Sequence, residues 1–156
     1  MTNRIANDFE ILNPGAEAPA ISFLMPIFQQ EDYIRESLLS ALRQKKVVVE
    51  LIISDDASAD KTYEIARSTI EEHLASSASH HRIMLRKGAE RLRRDHLPLL
   101  IDQASCDLVC QAHGDDLFHP QRAAKQVEIF AANKNISLIS VGSGTIDGKG
   151  EIKATP

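Results

Sequence analysis

The sequence predicts an α/β domain with a mostly parallel central sheet and helices packed on its faces. Apolar, β-branched runs alternate with segments whose apolar residues recur at helical spacing, and this alternation also predicts right-handed crossovers. Two of the apolar runs lead into aspartate pairs, Asp55-Asp56 and Asp115-Asp116. Open α/β sheets bind ligands beyond the carboxyl ends of their strands, so we expect the two pairs to share one site.

The first half of the chain contains two strand and helix units. Residues 21–25 form a short apolar run, which predicts a strand that ends at the following proline. Residues 32–44 have apolar side chains at helical spacing and predict a helix. The nearly continuous apolar run at 47–53 predicts a strand covered on both faces. A second helix should follow it, capped by Ser58 or Asp60.

The second half continues the alternation. The predicted elements are a strand over 82–85, a mostly helical segment over 88–104, a strand over 107–112, a helix over 121–132 and a strand over 136–141. Pro98 interrupts the helical segment, which predicts a loop before a shorter helix.

Length and composition indicate one globular domain. The chain has 156 residues, of which 43% are apolar and 26% charged. We place the domain at residues 20–147, after a turn-rich leader at 1–19 and before the start of a hairpin or a truncated tail at 148–156. The net charge of −4 provides no overall basic field, so nucleic acid is not an expected partner.

The sequence favours a cytoplasmic location. Its first 19 residues contain no apolar segment long enough for a signal peptide or a membrane helix. Cys106 and Cys110 lie on or beside a predicted strand, which separates them by about 13 Å. A disulfide needs Cα atoms within about 7 Å, so both thiols should stay reduced. These features leave open a peripheral contact with the inner face of the membrane.

Three motifs, in this order, resemble those of family 2 glycosyltransferases. Residues 21–31 are similar to the opening strand and loop of that family. Residues 50–62 resemble its DDGS-x-D signature. The run at 113–116, followed by Pro120 and Arg122, stands where the family has D-x-D-D…P-x-R. The resemblance covers most of the chain.

The resemblance implies a GT-A fold, a Rossmann-like sandwich that binds a nucleotide-diphosphate sugar, with the two acidic sites at opposite ends of the donor. Pro26 and Phe28 match the loop that lines the base and ribose. Asp56 matches the residue that accepts a base N–H. Asp115 matches the metal-binding aspartate, and Asp116 adjoins it at the donor, either as a ligand through water or as an acceptor of backbone hydrogen bonds that hold the loop. The implied cofactor is Mn²⁺ or Mg²⁺, which neutralises the diphosphate and favours carboxylate oxygens.

The sequence departs from the family pattern in its metal motif. His113 stands where the family has the first acidic residue. Imidazole binds Mn²⁺ but brings no negative charge. If His113 takes part in donor binding, affinity should favour Mn²⁺, Co²⁺ or Zn²⁺ over Mg²⁺ and fall as the ring protonates at roughly pH 6–7. Ala57 replaces a family glycine, and Leu97-Pro98 replaces an Arg-Asn pair.

A cluster of basic residues has two interpretations. Its members are Arg82, Arg86, Lys87, Arg91, Arg93 and Arg94. They could line the donor diphosphate or an acceptor phosphate, but a solvated helix face paired with Glu90 and Asp95 is the favoured interpretation. Within the cluster, Arg91 is the best candidate for donor contact, because the resemblance places a basic residue there.

The resemblance implies an inverting glycosyltransferase whose acceptor is a glycan or a lipid-linked molecule, as in cell-envelope polysaccharide synthesis. Inverting transfer needs a carboxylate base, which the family supplies downstream of these residues. The catalytic residue is therefore unknown, and we expect the chain alone to bind its donor, a UDP-linked sugar, but to transfer it slowly or not at all. The alternative is a non-catalytic nucleotide-binding module or a phosphoryl-accepting regulatory module. A missing acceptor half would expose apolar surface and favour a homo-oligomer.

Overall fold

The computed structural model describes residues 8–77, 79–147 and 151–154. The strands of its main sheet are β1 (Glu10–Asn13), β2 (Ile21–Ile27), β3 (Val49–Asp55), β4 (Arg82–Lys87) and β5 (Val109–Gln111). The helices are α1 (Ile34–Leu42), α2 (Thr62–Ser76), α3 (His96–Gln103) and α4 (Arg122–Ala132). Strands β6 (Thr145–Ile146) and β7 (Ile152–Ala154) form a separate antiparallel pair. None of the helices in these described segments is long and apolar enough to cross a membrane.

The main sheet has the strand order β1-β4-β3-β2-β5. Strands β2 to β5 run parallel, and β1 lies antiparallel to β4 at one edge. The chain moves from β2 to β3 and β4 on one side, then returns to the other side of β2 to form β5. This reversal creates a crevice at the carboxyl ends of the strands beside β2. The predicted fold class, an α/β domain with a mostly parallel sheet, is confirmed.

Both faces of the sheet are covered, as the continuous apolar run of β3 predicts. Successive side chains of a strand point to opposite faces, so Leu51 and Ile52 enter different clusters. Leu51 lies in the larger cluster with Leu38 of α1 and Ile70 of α2. The smaller cluster, beneath α3, consists of the buried residues Leu24, Ile52, Met84 and Leu100.

Two prolines lie inside elements that the sequence predicts them to interrupt. Strand β2 continues through Pro26. The N–H of Ser22 donates to the carbonyl oxygen of Leu108 on the β5 side, and alternation turns the nitrogen of Pro26 to that same side, where β5 pairing has ended. Pro98 lies in the first turn of α3, where its missing N–H has no intrahelical acceptor. The predictions that these prolines break their elements are wrong, although a loop does precede a shorter helix, α3, as predicted.

Two further predictions fail because strand formation depends on a partner. Residues 136–141 form no strand in the described chain, and Leu138 is 82% exposed. An apolar run becomes a strand only when a neighbour satisfies its backbone groups. Conversely, residues 10–13, inside the predicted leader, form β1 by pairing with β4. The tail predicted at 148–156 lies partly outside the described residues, and its described part forms β7.

Candidate functional site

The sequence-predicted site residues lie along the carboxyl edge of the sheet. Phe28 follows β2, Asp56 follows β3, and residues 113–116, here called the acidic loop, follow β5. The last residue of β2, Ile27, touches both other segments. The N–H of Asp56 donates to the carbonyl oxygen of Ile27 over 2.9 Å. A Cβ added to Gly114 of the acidic loop would lie 2.8 Å from Cγ2 of Ile27.

Side-chain oxygens near the start of α2 hold the loop after β2 in place. The N–H of Gln29 donates to Oγ of Ser58 over 2.9 Å. The N–H of Gln30 donates to Oγ1 of Thr62 over 2.7 Å. Because these bonds join segments about 30 residues apart in sequence, they fix the position of Phe28 relative to the turn that carries Asp56.

Asp55 and Asp56 have different structural roles. Asp55 is fully buried, and its carboxylate accepts hydrogen bonds from the N–H of Ser58 over 3.0 Å and from its Oγ over 2.5 Å. These bonds close the turn after β3. Ala57, inside the turn, has a φ of +58°, in the left-handed region that favours glycine. Alanine therefore stands here in a conformation that glycine adopts at lower cost.

Asp56 holds the segment before α3. Its Oδ1 accepts from the N–H of Leu92 over 2.6 Å, and its Oδ2 accepts from the N–H of Arg93 over 3.1 Å. Burial acts to raise the pKa of this carboxyl, but the two backbone hydrogen bonds and the electrostatic influence of His96 and Arg91 outweigh it and lower the pKa. Asp56 is therefore an ionised carboxylate at neutral pH.

Arg91 lies between Phe28 and Asp56. Its guanidinium carbon is 3.6 Å from the centroid of the Phe28 ring, a cation–π contact. Its Nε lies 3.5 Å from Oδ2 of Asp56. Three residues that the sequence predicts at the donor site are thus brought together by side-chain contacts.

A buried polar cluster lies beside Asp56 on the α3 face of the sheet. Nη1 of Arg86 donates to Oγ of Ser54 over 3.2 Å. Burial, aided by the charge of Arg86, lowers the pKa of His96 against the opposing effect of Asp56. Within the described part of the chain, Nε of Arg86 and Nε2 of His96 are buried without a hydrogen-bond partner. Sequence reasoning did not single out His96, whose position at the start of α3 gives no signal in the sequence.

The predicted basic cluster is divided by the structure. Arg82 pairs with the buried Glu50 over 3.1 Å, and Lys87 pairs with Glu64 over 2.7 Å. Neither partner is one that the sequence predicts. Arg91 is the member whose side chain contacts the predicted site residues, since its ion pair is with Asp56, whereas Arg93 contacts Asp56 through its backbone N–H. The interpretation of all six residues as one helix face is wrong, because β4 and the following loop separate them.

Polar side chains of α1 and of Gln44 just after it anchor the acidic loop and the residues that follow it. Oγ of Ser37 donates to the carbonyl oxygen of His113 over 2.8 Å. Oγ of Ser40 accepts from the N–H of Phe118 over 3.0 Å. Nε2 of Gln44, just after the helix, donates to the carbonyl oxygen of His119 over 3.0 Å. The sequence analysis did not predict this anchoring role. Ser37, Ser40 and Gln44 are spaced by three and four positions, and this helical spacing of polar residues could have indicated it.

The side chains of His113, Asp115 and Asp116 are exposed at the end of β5. The N–H of Asp116 donates to the carbonyl oxygen of His113 over 3.3 Å, which closes a turn. Among the residues that the structure describes, no three His, Cys, Asp or Glu side chains form a metal-binding group. Two adjacent exposed carboxylates nevertheless suit Mg²⁺ or Mn²⁺, since such ions bind through one or two carboxylates together with water and substrate phosphates. The chemistry of this donor set therefore fits the implied metal.

A cleft of about 770 Å³ opens beside the acidic loop. Asp115 and Asp116 line it, together with Arg122 and Lys125 of α4. Nη2 of Arg122 donates to the carbonyl oxygen of Gln111 over 3.3 Å, so this arginine also fixes the end of β5. The cleft combines carboxylates for a cation with basic groups for an anion.

Known proteins with similar sequences are glycosyltransferases. The glycosyltransferase EpsE of Bacillus subtilis is 30% identical over 129 residues, which cover 83% of this chain and 45% of that protein. A glycosyltransferase of Rickettsia typhi is 26% identical over 136 residues, covering 85% of this chain and 39% of that protein. The chain thus spans less than half the length of these relatives.

Solved structures show the same fold, and a family model settles the membership. Residues 1–349 of S. aureus TarS, in complex with UDP-GlcNAc, match 72% of this chain and 31% of that one, with a TM-score of 0.59 and 19% identity. The mannosyltransferase PcManGT from Pyrobaculum calidifontis, in complex with GDP-Man and Mn²⁺, matches 76% of this chain and 35% of that one, with a TM-score of 0.57 and 21% identity. The model of Glycosyl transferase family 2 matches residues 22–154, and the chain belongs to that family.

Proposed function

We propose that this chain is the donor-binding portion of an inverting glycosyltransferase that takes a UDP-linked sugar with a divalent metal. The acceptor would be a glycan or a lipid-linked molecule. The observation that best supports this is the position of the loop after β2. Ile27, the residue just before this loop, accepts a hydrogen bond from the N–H of Asp56 and also lies against Gly114 of the acidic loop. One elongated ligand could therefore reach both acidic sites.

At the base end of the site, Phe28 would supply the aromatic surface and Asp56 the acceptor for a base N–H. The lowered pKa of Asp56 supports this role, because a carboxylate accepts hydrogen bonds and a neutral acid also donates. Pro26 is half-buried one residue before the end of β2, where it would shape the wall of the base site.

At the diphosphate end, Asp115 would bind the metal directly, and Asp116 and His113 would hold the donor beside it. A divalent metal bound there would stabilise the negative charge of the departing nucleoside diphosphate. The chain's own residues fix where that charge develops, since Ser37 anchors the backbone of the loop at His113. A donor-binding curve that prefers Mg²⁺ and is flat with pH would contradict the role of His113.

Two structural neighbours support a nucleotide-diphosphate sugar as the ligand class. The TarS structure contains UDP-GlcNAc, and the PcManGT structure contains GDP-Man with Mn²⁺. Uridine is proposed here because the resemblance favours it, and guanosine is the competitor to test. Transfer itself would require a carboxylate base, and we assign that role to none of the residues described above.

Calorimetric titration of UDP with and without Mn²⁺ tests the proposal. Wild-type protein should bind UDP more tightly with Mn²⁺, and Asp115→Ala should lose that metal-dependent gain. Asp102→Ala is the matched control, because Asp102 is an exposed aspartate on α3 away from the acidic loop. Absence of binding to UDP, GDP and TDP under both conditions would contradict the proposal.

A further inference from the structure

Arg91 and the two residues after it contact both groups that would recognise the base, the Phe28 ring and the Asp56 carboxylate. The Arg91 guanidinium covers one face of the Phe28 ring at 3.6 Å. The N–H groups of Leu92 and Arg93 each take one oxygen of Asp56. The side chain of Asp56 is in consequence only 4% exposed. A base that enters this site therefore meets a protein segment in its way.

The covering of Phe28 has a direct steric consequence. Carbon atoms in contact lie about 3.5–4.0 Å apart, and the guanidinium carbon already lies 3.6 Å from the centroid of the Phe28 ring. A base cannot stack on that face of Phe28 while Arg91 remains there. Likewise, a base N–H cannot reach the carboxylate of Asp56 unless the segment at 91–93 shifts.

Displacement of Arg91 leaves a cation that needs a new partner. Among the described residues, the ion-pair partner of Arg91 is Asp56, and the Arg91 side chain is 44% exposed. The Arg91 side chain is long and exposed enough to move. When it leaves Phe28 and Asp56, one cation–π contact and one ion pair are lost. A diphosphate provides two adjacent anionic groups, which a guanidinium binds through paired hydrogen bonds.

The backbone of the segment is also held in a conformation that favours release. Arg93 has a φ of +55°, in the left-handed region that a residue with a side chain adopts at a cost in free energy. The hydrogen bond from its N–H to Asp56 helps to hold it there. If a ligand takes over Asp56, that constraint is lost and the segment can relax.

We propose that Arg91 is a specificity-determining residue that couples base binding to diphosphate binding. It covers the Phe28 ring until a donor arrives, and it leaves the ring to pair with the donor diphosphate. A nucleoside without phosphates must displace Arg91 but has no anionic group with which the guanidinium can pair. The site therefore selects nucleoside diphosphates over nucleosides. This inference rests on the proposed function, because it assumes that a nucleotide binds between Phe28 and the acidic loop.

The test compares uridine and UDP binding, by calorimetry for UDP and by NMR titration for the weaker uridine, in the presence of Mg²⁺. Arg91→Ala should bind uridine roughly two- to fivefold more tightly, as expected from loss of one exposed cation–π contact. The same variant should bind UDP more weakly, by roughly tenfold, because a charge-assisted contact is gone. The two ligands should thus respond in opposite directions.

Two further variants separate the stack from the charge. Arg91→Lys keeps a positive charge without the planar stacking group, so uridine should gain affinity while UDP stays closer to wild type than in Arg91→Ala. Arg94→Ala is the matched control, because Arg94 is an exposed arginine of the same segment. It should leave the ratio of the two affinities unchanged.

The outcomes distinguish the two proposals. If wild-type protein binds UDP but Arg91→Ala changes both affinities in the same direction, or leaves uridine unchanged, the coupling by Arg91 is overturned and the proposed function stands. If wild-type protein binds neither UDP nor GDP, the proposed function fails and the coupling fails with it.

Discussion

Oγ of Ser37 on α1 donates a hydrogen bond of 2.8 Å to the carbonyl oxygen of His113, which lies 76 positions later in the chain. This bond ties the first helix to the acidic loop. It acts on the backbone of His113, while the imidazole remains exposed. The position of the carboxylates after β5 thus depends on a helix residue that touches no ligand group itself.

Replacing Ser37 by alanine should loosen the acidic loop. We expect a loss of about 1 kcal/mol in the free energy of unfolding, since the carbonyl of His113 loses its donor. The metal-dependent part of UDP affinity should fall by roughly tenfold, as for other residues that orient metal ligands. Urea unfolding and calorimetry measure both quantities.

The matched control for that variant is Ser68→Ala. Ser68 of α2 also donates through Oγ to a backbone carbonyl, that of Ile65, but away from the acidic loop. It should leave metal-dependent binding unchanged. Equal losses of metal-dependent binding in the two variants would show that Ser37 has no special connection with the site.

Ala57→Gly should stabilise the protein. The φ of +58° at Ala57 costs about 1–2 kcal/mol for a residue with a Cβ, and glycine recovers most of it at an entropic cost of about 0.5–1 kcal/mol. We expect a net gain of up to about 1 kcal/mol in thermal or urea unfolding. Ala75→Gly, at an exposed position on α2, should instead destabilise. A loss of stability in Ala57→Gly would contradict the strain at this turn.

Gly88→Ala should destabilise the protein more than Gly114→Ala. A Cβ at Gly88 would lie 2.5 Å from the carbonyl oxygen of Asp55 and 3.0 Å from the nitrogen of Ala57, and these backbone atoms cannot move aside. A Cβ at Gly114 would meet side chains, those of Gln30, Ile27 and Ile34.

We expect losses of about 2–3 kcal/mol for Gly88→Ala and about 1 kcal/mol for Gly114→Ala in urea unfolding. The difference follows from the kind of atom that each new methyl group meets. The reverse order of the two losses would contradict the tight backbone contact between the end of β3 and the end of β4.

Stability should decrease as the pH falls below neutrality. Burial lowers the pKa values of His81 and His96 from the ordinary 6.5, so the unfolded chain binds protons that the folded chain resists. The stabilisation is complete above pH 6.5 and is lost as the pH falls through the folded-state pKa values. Urea midpoints at neutral and mildly acidic pH should show this decline, and His96→Gln should reduce its slope. An unchanged slope would contradict the burial of a neutral imidazole at position 96.

Much of the fold follows from local patterns. The runs that become β2 and β3 are continuous and apolar because the strands are covered on both faces. The aspartates at the ends of β3 and β5 lie at the same edge of the sheet, because parallel strands bring their carboxyl ends to one edge. Such features can be predicted, since the sequence near each element determines them.

Features that depend on distant partners could not be predicted in this way. Strand β1 exists because β4 pairs with it, and the apolar run at 136–141 lacks such a partner within the described chain. The stacking of Arg91 on Phe28 joins residues 63 positions apart and depends on how the segment before α3 folds over Asp56. Pairings of this kind leave no periodic signal in the sequence.

One ligand should reach both the Phe28–Asp56 end and the acidic loop at the carboxyl edge of the sheet. NMR spectroscopy of ¹⁵N-labelled protein tests this most directly. UDP with Mg²⁺ should shift the amide signals of Phe28, Leu92 and Arg93, and substituting a trace of Mn²⁺ should selectively broaden the signals of residues 113–116. If Mn²⁺ broadens signals elsewhere, or UDP leaves the signals around Asp56 unchanged, the two acidic sites do not serve one donor.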